Sequence, residues 1–244
     1  RGVPREEIIV IGKGVHSPLC YPDQIAKQLD LSLERLKTDY VDVYFMHRDN
    51  PDVPVGEFVD AMDAQVRAGR IRGIFGGSNW TRERMDEAIA YAHAHDKAAP
   101  AALSNNFALA EMLDPIWDGC VSASDNAWKS WLTANQIPNF AWSSQGRGFF
   151  TERAGRDKLD DEEIVRVWYS ESNFERRDRA IELAEKLGRH PIHIALAYVL
   201  AQPFPVIPLI GPRNLTELED SLSAQTLTLT PDDVTWLETG KRGR

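Results

Sequence analysis

The sequence predicts an α/β fold in which buried strands alternate with amphipathic helices. Apolar runs typical of buried strands lie at about residues 8–12, 41–46, 71–76, 102–107, 139–143 and 205–210. Successive runs begin roughly 30 to 37 residues apart up to residue 139, a spacing typical of a (β/α)8 TIM barrel. A doubly wound sheet is the alternative, but GKGVHS after the first run lacks the third glycine of a dinucleotide fingerprint.

Helical patterns fill the intervals between the predicted strands. Apolar residues recur at helical spacing in four segments, at residues 23–37, 54–69, 177–188 and 191–201. The second of these patterns ends at Gly69, and Thr81 is a candidate N-cap for a further helix. Strand and helix are therefore expected to alternate along the chain.

The number of predicted strands is smaller than a complete barrel requires. Six runs are found, whereas the barrel has eight strands. Two more units of about 30 residues each would restore a size of ~250 residues or more. We therefore expect a single barrel domain over residues 1–244 that lacks its first two strand-helix units, which agrees with the absence of an initiating Met.

Composition limits the partners of the chain. Its 244 residues carry a formal net charge of −9, so the overall field repels nucleic acids and anionic membranes. No stretch approaches the ~20 apolar residues that a membrane span needs. Cys20 and Cys120 do not form a CxxC pair, so we expect reduced thiols and a cytoplasmic location. No metal site is predicted.

Two apolar runs end on a residue that is capable of chemistry. Lys13 follows IIVIG, and His47 follows VDVYFM. The carboxyl ends of parallel strands are where α/β proteins bind ligands. Each residue alone could be a solvated or hydrogen-bonded strand end, but the pair predicts the edge of an active site.

Four segments together resemble one known family. They are SLERLKTDYVDVYFMHRDNP, AGRIRGIFGGSNW, AWSSQGRGFF and IPLIGPRNLTELEDSL. In this order and spacing they resemble the aldo-keto reductases, over about residues 5–239. The resemblance implies a (β/α)8 barrel that binds NADP(H) and reduces an aldehyde or ketone. HRDNPDVPVGE is similar to bacterial members that act on sugars or other small carbonyl compounds.

The resemblance also implies two catalytic roles. Lys13 would lower the pKa of a catalytic tyrosine, and His47 would orient the substrate carbonyl. The family's tyrosine and a partner aspartate belong to its second strand and the following loop, and no tyrosine of this chain lies in a matching motif. We therefore expect these 244 residues alone to be impaired in catalysis and unstable without the upstream segment.

Candidates for nicotinamide binding follow three of the strands. The resemblance implies that Ser78 and Asn79 bind the carboxamide, although both residues also suit a helix start. Ser104 or Asn105 lies where the family has a residue beneath the nicotinamide ring. Trp142 either stacks on that ring or packs in the core.

Candidates for pyrophosphate binding lie in SSQGRG, which resembles the family's phosphate loop. Ser143, Gln145 and Gly146 belong to this segment, in which small residues let backbone amides approach phosphates. Relatives commonly have Pro-Leu in place of Ser144 and Gln145, so the loop departs from the family here.

The adenosine end of the cofactor is assigned to GPRNLTELEDSL. Gly211 ends a strand, and Asn214 with Glu217 forms an N-cap pattern. Arg213 either is a surface residue or binds the adenosine 2′-phosphate, and the second role favours NADP(H) over NAD(H). Ser221 stands where many relatives have Asn near the adenine.

The sequence gives less information about the substrate and about whether the protein is part of a larger assembly. Long excursions at about residues 110–137 and 147–176 carry four tryptophans, which could line a substrate site or pack the loops onto the fold: Trp117, Trp128, Trp131 and Trp168. The alternative function is a nicotinamide-binding regulatory subunit with little turnover. A fusion to, or assembly with, another oxidoreductase domain is a further alternative.

Overall fold

The computed structural model describes residues 2–242, and the chain divides between Ser104 and Asn105 into two compact units. The first unit alternates strand and helix throughout. Its elements are β1 (Ile11–Gly14), α1 (Pro22–Leu36), β2 (Val41–Met46), α2 (Val55–Arg67), β3 (Ile71–Ser78), α3 (Arg82–Ala94) and β4 (Ala102–Ser104).

All strand pairs in the first unit are parallel and follow chain order. Lys13 pairs with Phe45, Met46 with Gly77, and Ser78 with Ser104. This register brings the carboxyl ends of β1 to β4 to the same edge of the sheet. The predicted alternation of strands and helices is therefore confirmed.

The core of the first unit is built from β2 and the apolar face of α2. Tyr44 and Phe45 on β2 and Phe58 on α2 have no exposed surface. Burial of such a side chain contributes about 1.5–3 kcal/mol to the free energy of unfolding. After Asp42, residues 43–46 of β2 are all buried and form a continuous apolar run rather than an alternating one, as expected where both faces of a strand are covered.

The second unit has two strands and six helices in its described part. Its elements are α4 (Asn126–Asn135), β5 (Asn139–Ala141), α5 (Glu162–Trp168), α6 (Glu171–Leu187), α7 (Pro191–Leu200), β6 (Val206–Pro208), α8 (Leu215–Ser223) and α9 (Pro231–Thr239). The pairs of β5 and β6 are parallel, with Asn139 opposite Val206 and Ala141 opposite Pro208. An isolated bridge joins Asn106 to Trp142, directly after β5.

The structure corrects the first predicted strand. The strand begins at Ile11 rather than at residue 8. The Val10 N–H group donates to the Asp42 carboxylate (2.8 Å) rather than to a backbone carbonyl, and the Val10 carbonyl accepts from the Asp42 and Val43 N–H groups, so the regular ladder starts after Val10. Ile9, which was expected to be buried, is 74% exposed. The pattern of apolar residues from which the strand was predicted holds no information about a hydrogen bond to a side chain 32 residues away, so it could not indicate where the strand begins.

The fourth predicted strand and the two long excursions also differ from expectation. β4 ends at Ser104, three residues before the predicted end. The excursion at 110–137 contains α4, and the excursion at 147–176 contains α5 and the start of α6. Asp125 and Asp161 cap α4 and α5 by accepting backbone N–H bonds, which the sequence analysis did not use.

Two further observations concern the cysteines and the length of the apolar helices. Both cysteines, Cys20 and Cys120, are free and buried. Within residues 2–242, no helix has both the length and the apolar character that crossing a bilayer requires. The two missing strand-helix units and the single barrel domain stay predictions.

Candidate functional site

The carboxyl ends of β1 to β4 gather the polar residues that were predicted in the first unit. Lys13 lies on β1, His47 directly after β2, Ser78 and Asn79 at the end of β3, and Ser104 at the end of β4. Backbone bonds fix these ends, since the His47 N–H donates to the Gly14 carbonyl (2.7 Å) and the Asn79 N–H to the Ser104 carbonyl (3.3 Å). The structure therefore brings all five residues to one edge.

Lys13 is held by two hydroxyls. Its Nζ donates to Ser104 Oγ at 2.7 Å and to Ser78 Oγ at 3.3 Å. Burial lowers the pKa of Lys13 to about 8, and the charge of Arg48 adds to this shift. The ammonium is therefore still the major form at pH 7, but its proton is held less firmly than that of an exposed lysine.

His47 has a neutral ring at neutral pH. Burial is the main reason that its pKa falls to about 4, and the nearby charges of Lys13, Arg48 and His16 contribute in that order. A neutral imidazole carries one N–H donor and one acceptor nitrogen. The ring can therefore donate a hydrogen bond to an oxygen without carrying charge itself.

Arg48 is a residue of this edge that the sequence analysis missed. It is only 7% exposed, and its Nη1 donates to the His47 carbonyl at 3.0 Å. Its charge contributes to the lowered pKa values of both Lys13 and His47. The signal available in the sequence was its position directly after His47, at the end of a buried strand.

His16 is a second residue of this edge that was not among the predicted site residues. Its ring lies edge-on to that of His47, with 4.8 Å between the ring centroids. The turn that brings it there passes through Val15, which is fully buried and has a φ of 54°. Positive φ is rare for a β-branched residue, so nothing in the residue types predicted this turn.

Ser78 and Asn79 are structured by contacts at the same edge. The Ser78 hydroxyl donates to the Ser104 carbonyl at 2.9 Å, and Asn79 Nδ2 donates to Ser78 Oγ at 3.3 Å. The cap of α3 is Thr81, whose side chain accepts from the Arg84 N–H, as predicted. Ser78 and Asn79 therefore do not serve as the N-cap, which was the alternative interpretation.

The predicted phosphate loop in the second unit has an unusual backbone. Ser143, Gly146, Arg147 and Gly148 all have positive φ, between 51° and 98°. Turns of this kind can point successive peptide N–H groups toward a common anion. Within the described residues, Gln145 Nε2 is buried without an acceptor. Ser144 is not a free polar group, because its hydroxyl donates to the Leu209 carbonyl at 3.2 Å.

The helix start of the adenosine-end motif is confirmed, whereas the prediction that Gly211 ends a strand is wrong, because β6 ends at Pro208. Asn214 caps α8 by accepting the Glu217 N–H at 2.9 Å. The Arg213 side chain is 82% exposed and forms an ion pair with Glu217, at 2.8 Å between Nη2 and Oε1. The guanidinium is thus at the surface of its unit with a carboxylate partner. A Cβ atom at Gly211 would meet open space.

Only one of the four loop tryptophans is largely exposed. Trp168 is fully buried and Trp128 is 5% exposed, so both pack their own segments. Trp117 is 53% exposed, and its ring centroid lies 6.5 Å from that of Trp142. The Arg147 guanidinium lies 5.2 Å from the Trp117 ring. Trp142 is therefore packed against an aromatic neighbour at the end of β5.

Known proteins with similar sequences are oxidoreductases. The chain is 26% identical over 241 residues to the uncharacterized oxidoreductase YrpG of Bacillus subtilis, which covers 94% of the chain and 71% of the relative. It is 29% identical over 218 residues to the aldo-keto reductase YhdN of the same organism, covering 86% and 61%. Aldo-keto reductase yakc [NADP(+)] of Schizosaccharomyces pombe is 28% identical over 215 residues, covering 85% and 59%. The chain thus spans between 59% and 71% of the length of these three relatives.

A solved structure and a family profile agree with these relatives. The crystal structure of a thermostable aldo-keto reductase in complex with the inhibitor epalrestat superposes with a TM-score of 0.73 at 25% identity, covering 97% of this chain and 73% of that one. The profile described as the Aldo/keto reductase family matches residues 1–239. With its parallel α/β architecture and the polar edge of its first unit, this chain belongs to the aldo/keto reductase family.

Proposed function

We propose that the protein reduces an aldehyde or ketone to an alcohol with NADP(H). The observation that carries the proposal is the meeting of Lys13, His47, Ser78 and Asn79 at one edge of the first unit. A sugar or another small carbonyl compound is the proposed substrate class. The name of the fission-yeast relative, which includes NADP(+), supports the choice of cofactor.

His47 would hold the carbonyl oxygen of the substrate. Because its pKa is about 4, the ring is neutral at pH 7 and offers one N–H bond. That bond strengthens as the oxygen gains negative charge, which is the form of stabilisation that accelerates a reaction. The lowered pKa makes the ring a poor proton donor, so His47 orients and polarises rather than protonates.

Lys13 would supply positive charge beside the reacting oxygen. With a pKa of about 8 it remains an ammonium at pH 7. Such a charge lowers the pKa of a neighbouring phenol and stabilises an oxyanion. The tyrosine that would transfer the proton, and its aspartate partner, stay predictions for the segment upstream of residue 1.

The residues of each unit fit one part of the proposed cofactor. When bound, the nicotinamide supplies the hydride. In the first unit, Ser78 and Asn79 lie at the end of β3, where they would meet the carboxamide. The Ser78 hydroxyl donates to the Ser104 carbonyl and accepts from Lys13 and Asn79, so it would have to exchange one of these bonds for a bond to the carboxamide. In the second unit, the positive φ angles of Ser143 and Gly146 and the unpartnered Gln145 amide suit a phosphate group.

Arg213 would contact the 2′-phosphate in this proposal. Its guanidinium is exposed and lies at the N-terminus of α8, where anions are favoured. Its present partner, Glu217, would have to give way or share it. Exposed ion pairs are weak, so a doubly charged phosphate can compete for the arginine.

The test is the oxidation of NADPH by the natural full-length protein with a panel of aldehydes and ketones. Lys13→Met and His47→Ala are each expected to lower kcat by about 10²-fold or more, because each removes a group at the reacting oxygen. Lys27→Met and His93→Ala are matched controls on exposed helix positions and should retain activity. Unchanged rates of NADPH oxidation in both Lys13→Met and His47→Ala would overturn the proposal.

A further inference from the structure

We infer that Ser104 is a positioning residue that holds Lys13 Nζ, together with Ser78, at the carboxyl edge of the first unit. The inference rests on the proposed function of Lys13 and adds a role for Ser104 that differs from contact with the nicotinamide ring. The Lys13–Ser104 bond of 2.7 Å is the shorter of the two bonds that Lys13 makes to serine.

The direction of each proton follows from the contacts. Ser78 donates its single hydroxyl proton to the Ser104 carbonyl (2.9 Å), so its oxygen can only accept from Lys13. An ammonium has three N–H bonds in a tetrahedral arrangement. Once Ser78 and Ser104 take two of them, the direction of the third is fixed. The two hydroxyls therefore aim the remaining N–H bond of Lys13.

The hydroxyls stand on rigid parts of the fold. Ser78 and Ser104 are both fully buried and are register partners at the ends of β3 and β4. Side chains on strand ends are held more firmly than those on loops. Ser104 lies 91 residues from Lys13 in the sequence, so only the parallel pairing of the strands brings it within reach.

The charges around Lys13 within the described residues are positive. Arg48 acts on the Lys13 ammonium, and Lys13, Arg48 and His16 act on the His47 ring. Among residues 2–242, the recorded polar contacts of Lys13 Nζ are those to the Ser78 and Ser104 hydroxyls. A hydroxyl oxygen that accepts from the ammonium favours its charged form. Ser104 thus opposes the effects of burial and of Arg48.

The experiment is competitive labelling of lysines with acetic anhydride across a pH series, read out for Lys13 by peptide mass spectrometry. Only the neutral amine reacts, so the midpoint of the labelling profile reports the pKa of Lys13. Ser104→Ala is expected to lower this midpoint by about one pH unit, because a hydrogen bond to the charged form is lost. Below the midpoint, the labelling rate should rise about tenfold. Ser104→Thr keeps the hydroxyl and should restore the profile.

Two further variants separate positioning from loosening of the structure. Arg48→Gln is expected to raise the midpoint, because it removes a neighbouring positive charge. Ser124→Ala is the control, since Ser124 is also buried but its hydroxyl accepts from the Ala108 N–H. A variant that merely loosens the fold would expose Lys13 and move its pKa upward toward 10.5. A downward shift in Ser104→Ala therefore cannot arise from loosening.

The outcomes distinguish this inference from the proposed function. Labelling is measured without cofactor or substrate, so it does not depend on reductase activity. An unchanged or raised midpoint in Ser104→Ala would overturn the positioning role even if the protein reduces carbonyls. A lowered midpoint that Ser104→Thr restores would support the role even if the reductase assay fails.

Discussion

The polar edge of the first unit and the Arg213–Glu217 motif of the second unit are built in opposite ways. The edge joins side chains from four strands, and Lys13 contacts Ser78 and Ser104 across 65 and 91 residues of sequence. The motif consists of five consecutive residues at the start of α8, and the Arg213 side chain is 82% exposed. One region depends on the whole sheet, and the other depends on a single helix turn.

This difference decides what each region can do. Burial changes the chemistry of the edge, since the pKa of Lys13 falls to about 8 and that of His47 to about 4. In the motif, by contrast, the Glu217 carboxylate raises the pKa of Arg213. This shift does not change the charge of the side chain, because arginine is already protonated at any physiological pH. The edge is suited to altered reactivity, and the motif is suited to exchangeable binding of an anion.

The strongest test of the comparison is a glycine substitution in each region. A Cβ atom at Gly76 would lie 1.8 Å from the Ala102 carbonyl oxygen, whereas a Cβ atom at Gly211 would meet nothing within 4 Å. Gly76→Ala should lower the free energy of unfolding by about 3 kcal/mol, because the backbone of β4 must move. Gly211→Ala should change it by less than about 0.5 kcal/mol.

Urea denaturation followed by circular dichroism measures both effects. The Lys13 labelling profile should also change in Gly76→Ala, because β3 and β4 carry the two serines. Equal stability losses in the two variants would contradict the contrast between a packed edge and an open motif.

A second test compares the two partners in the motif itself. Arg213→Ala should weaken NADPH binding about tenfold, with little effect on NADH, because a charge-assisted contact to the 2′-phosphate is lost. Glu217→Gln should strengthen NADPH binding by a few fold at low salt, because the arginine is released from its carboxylate. Fluorescence titration with both nucleotides measures these changes. Equal weakening of NADH and NADPH by Arg213→Ala would refute the 2′-phosphate contact.

The smallest expected effects concern the helix caps, in which the two units are alike. Thr81 caps α3 and Asn214 caps α8, each by accepting the N–H of the residue three positions later. Thr81→Ala and Asn214→Ala should each cost about 1 kcal/mol of stability. Thermal melts of the two variants and of Thr81→Ser, which retains a capping oxygen, provide the measurement. A larger loss in Asn214→Ala would show that its side chain has a further structural role.

Local patterns carried most of what could be predicted. The caps at Thr81 and Asn214, the end of α2 before Gly69 and the apolar run of β2 depend on neighbouring residues, and the structure confirms them. The convergence of Lys13 and His47 followed from one general property of parallel sheets, that their carboxyl ends share an edge. The caps, the helix end and the apolar run each need only the sequence within about one element, and the convergence of Lys13 and His47 needs in addition only that two strands are parallel.

The features that were missed depend on contacts between distant elements. The Asp42 side chain captures the Val10 N–H and shortens β1, although the apolar run continues through Ile8 and Ile9. Ser104 contacts Lys13 although β2 and β3 lie between their strands, so no pattern within one strand could indicate the contact. Arg48 follows a buried strand like many solvated residues, and its own burial is set by neighbours that are not adjacent in sequence.

The left-handed residue Val15 has a consequence for how the edge of the first unit receives a ligand. Such a backbone costs of order 1–3 kcal/mol in a residue with a branched Cβ, and here the complete burial of the side chain offsets that cost. The Cys20 thiol adds a second anchor by donating to the Val15 carbonyl at 3.1 Å. His16 follows directly after Val15, and its ring lies edge-on to that of His47 at 4.8 Å between the centroids. A ligand that approaches His47 from this side would therefore meet two imidazole rings.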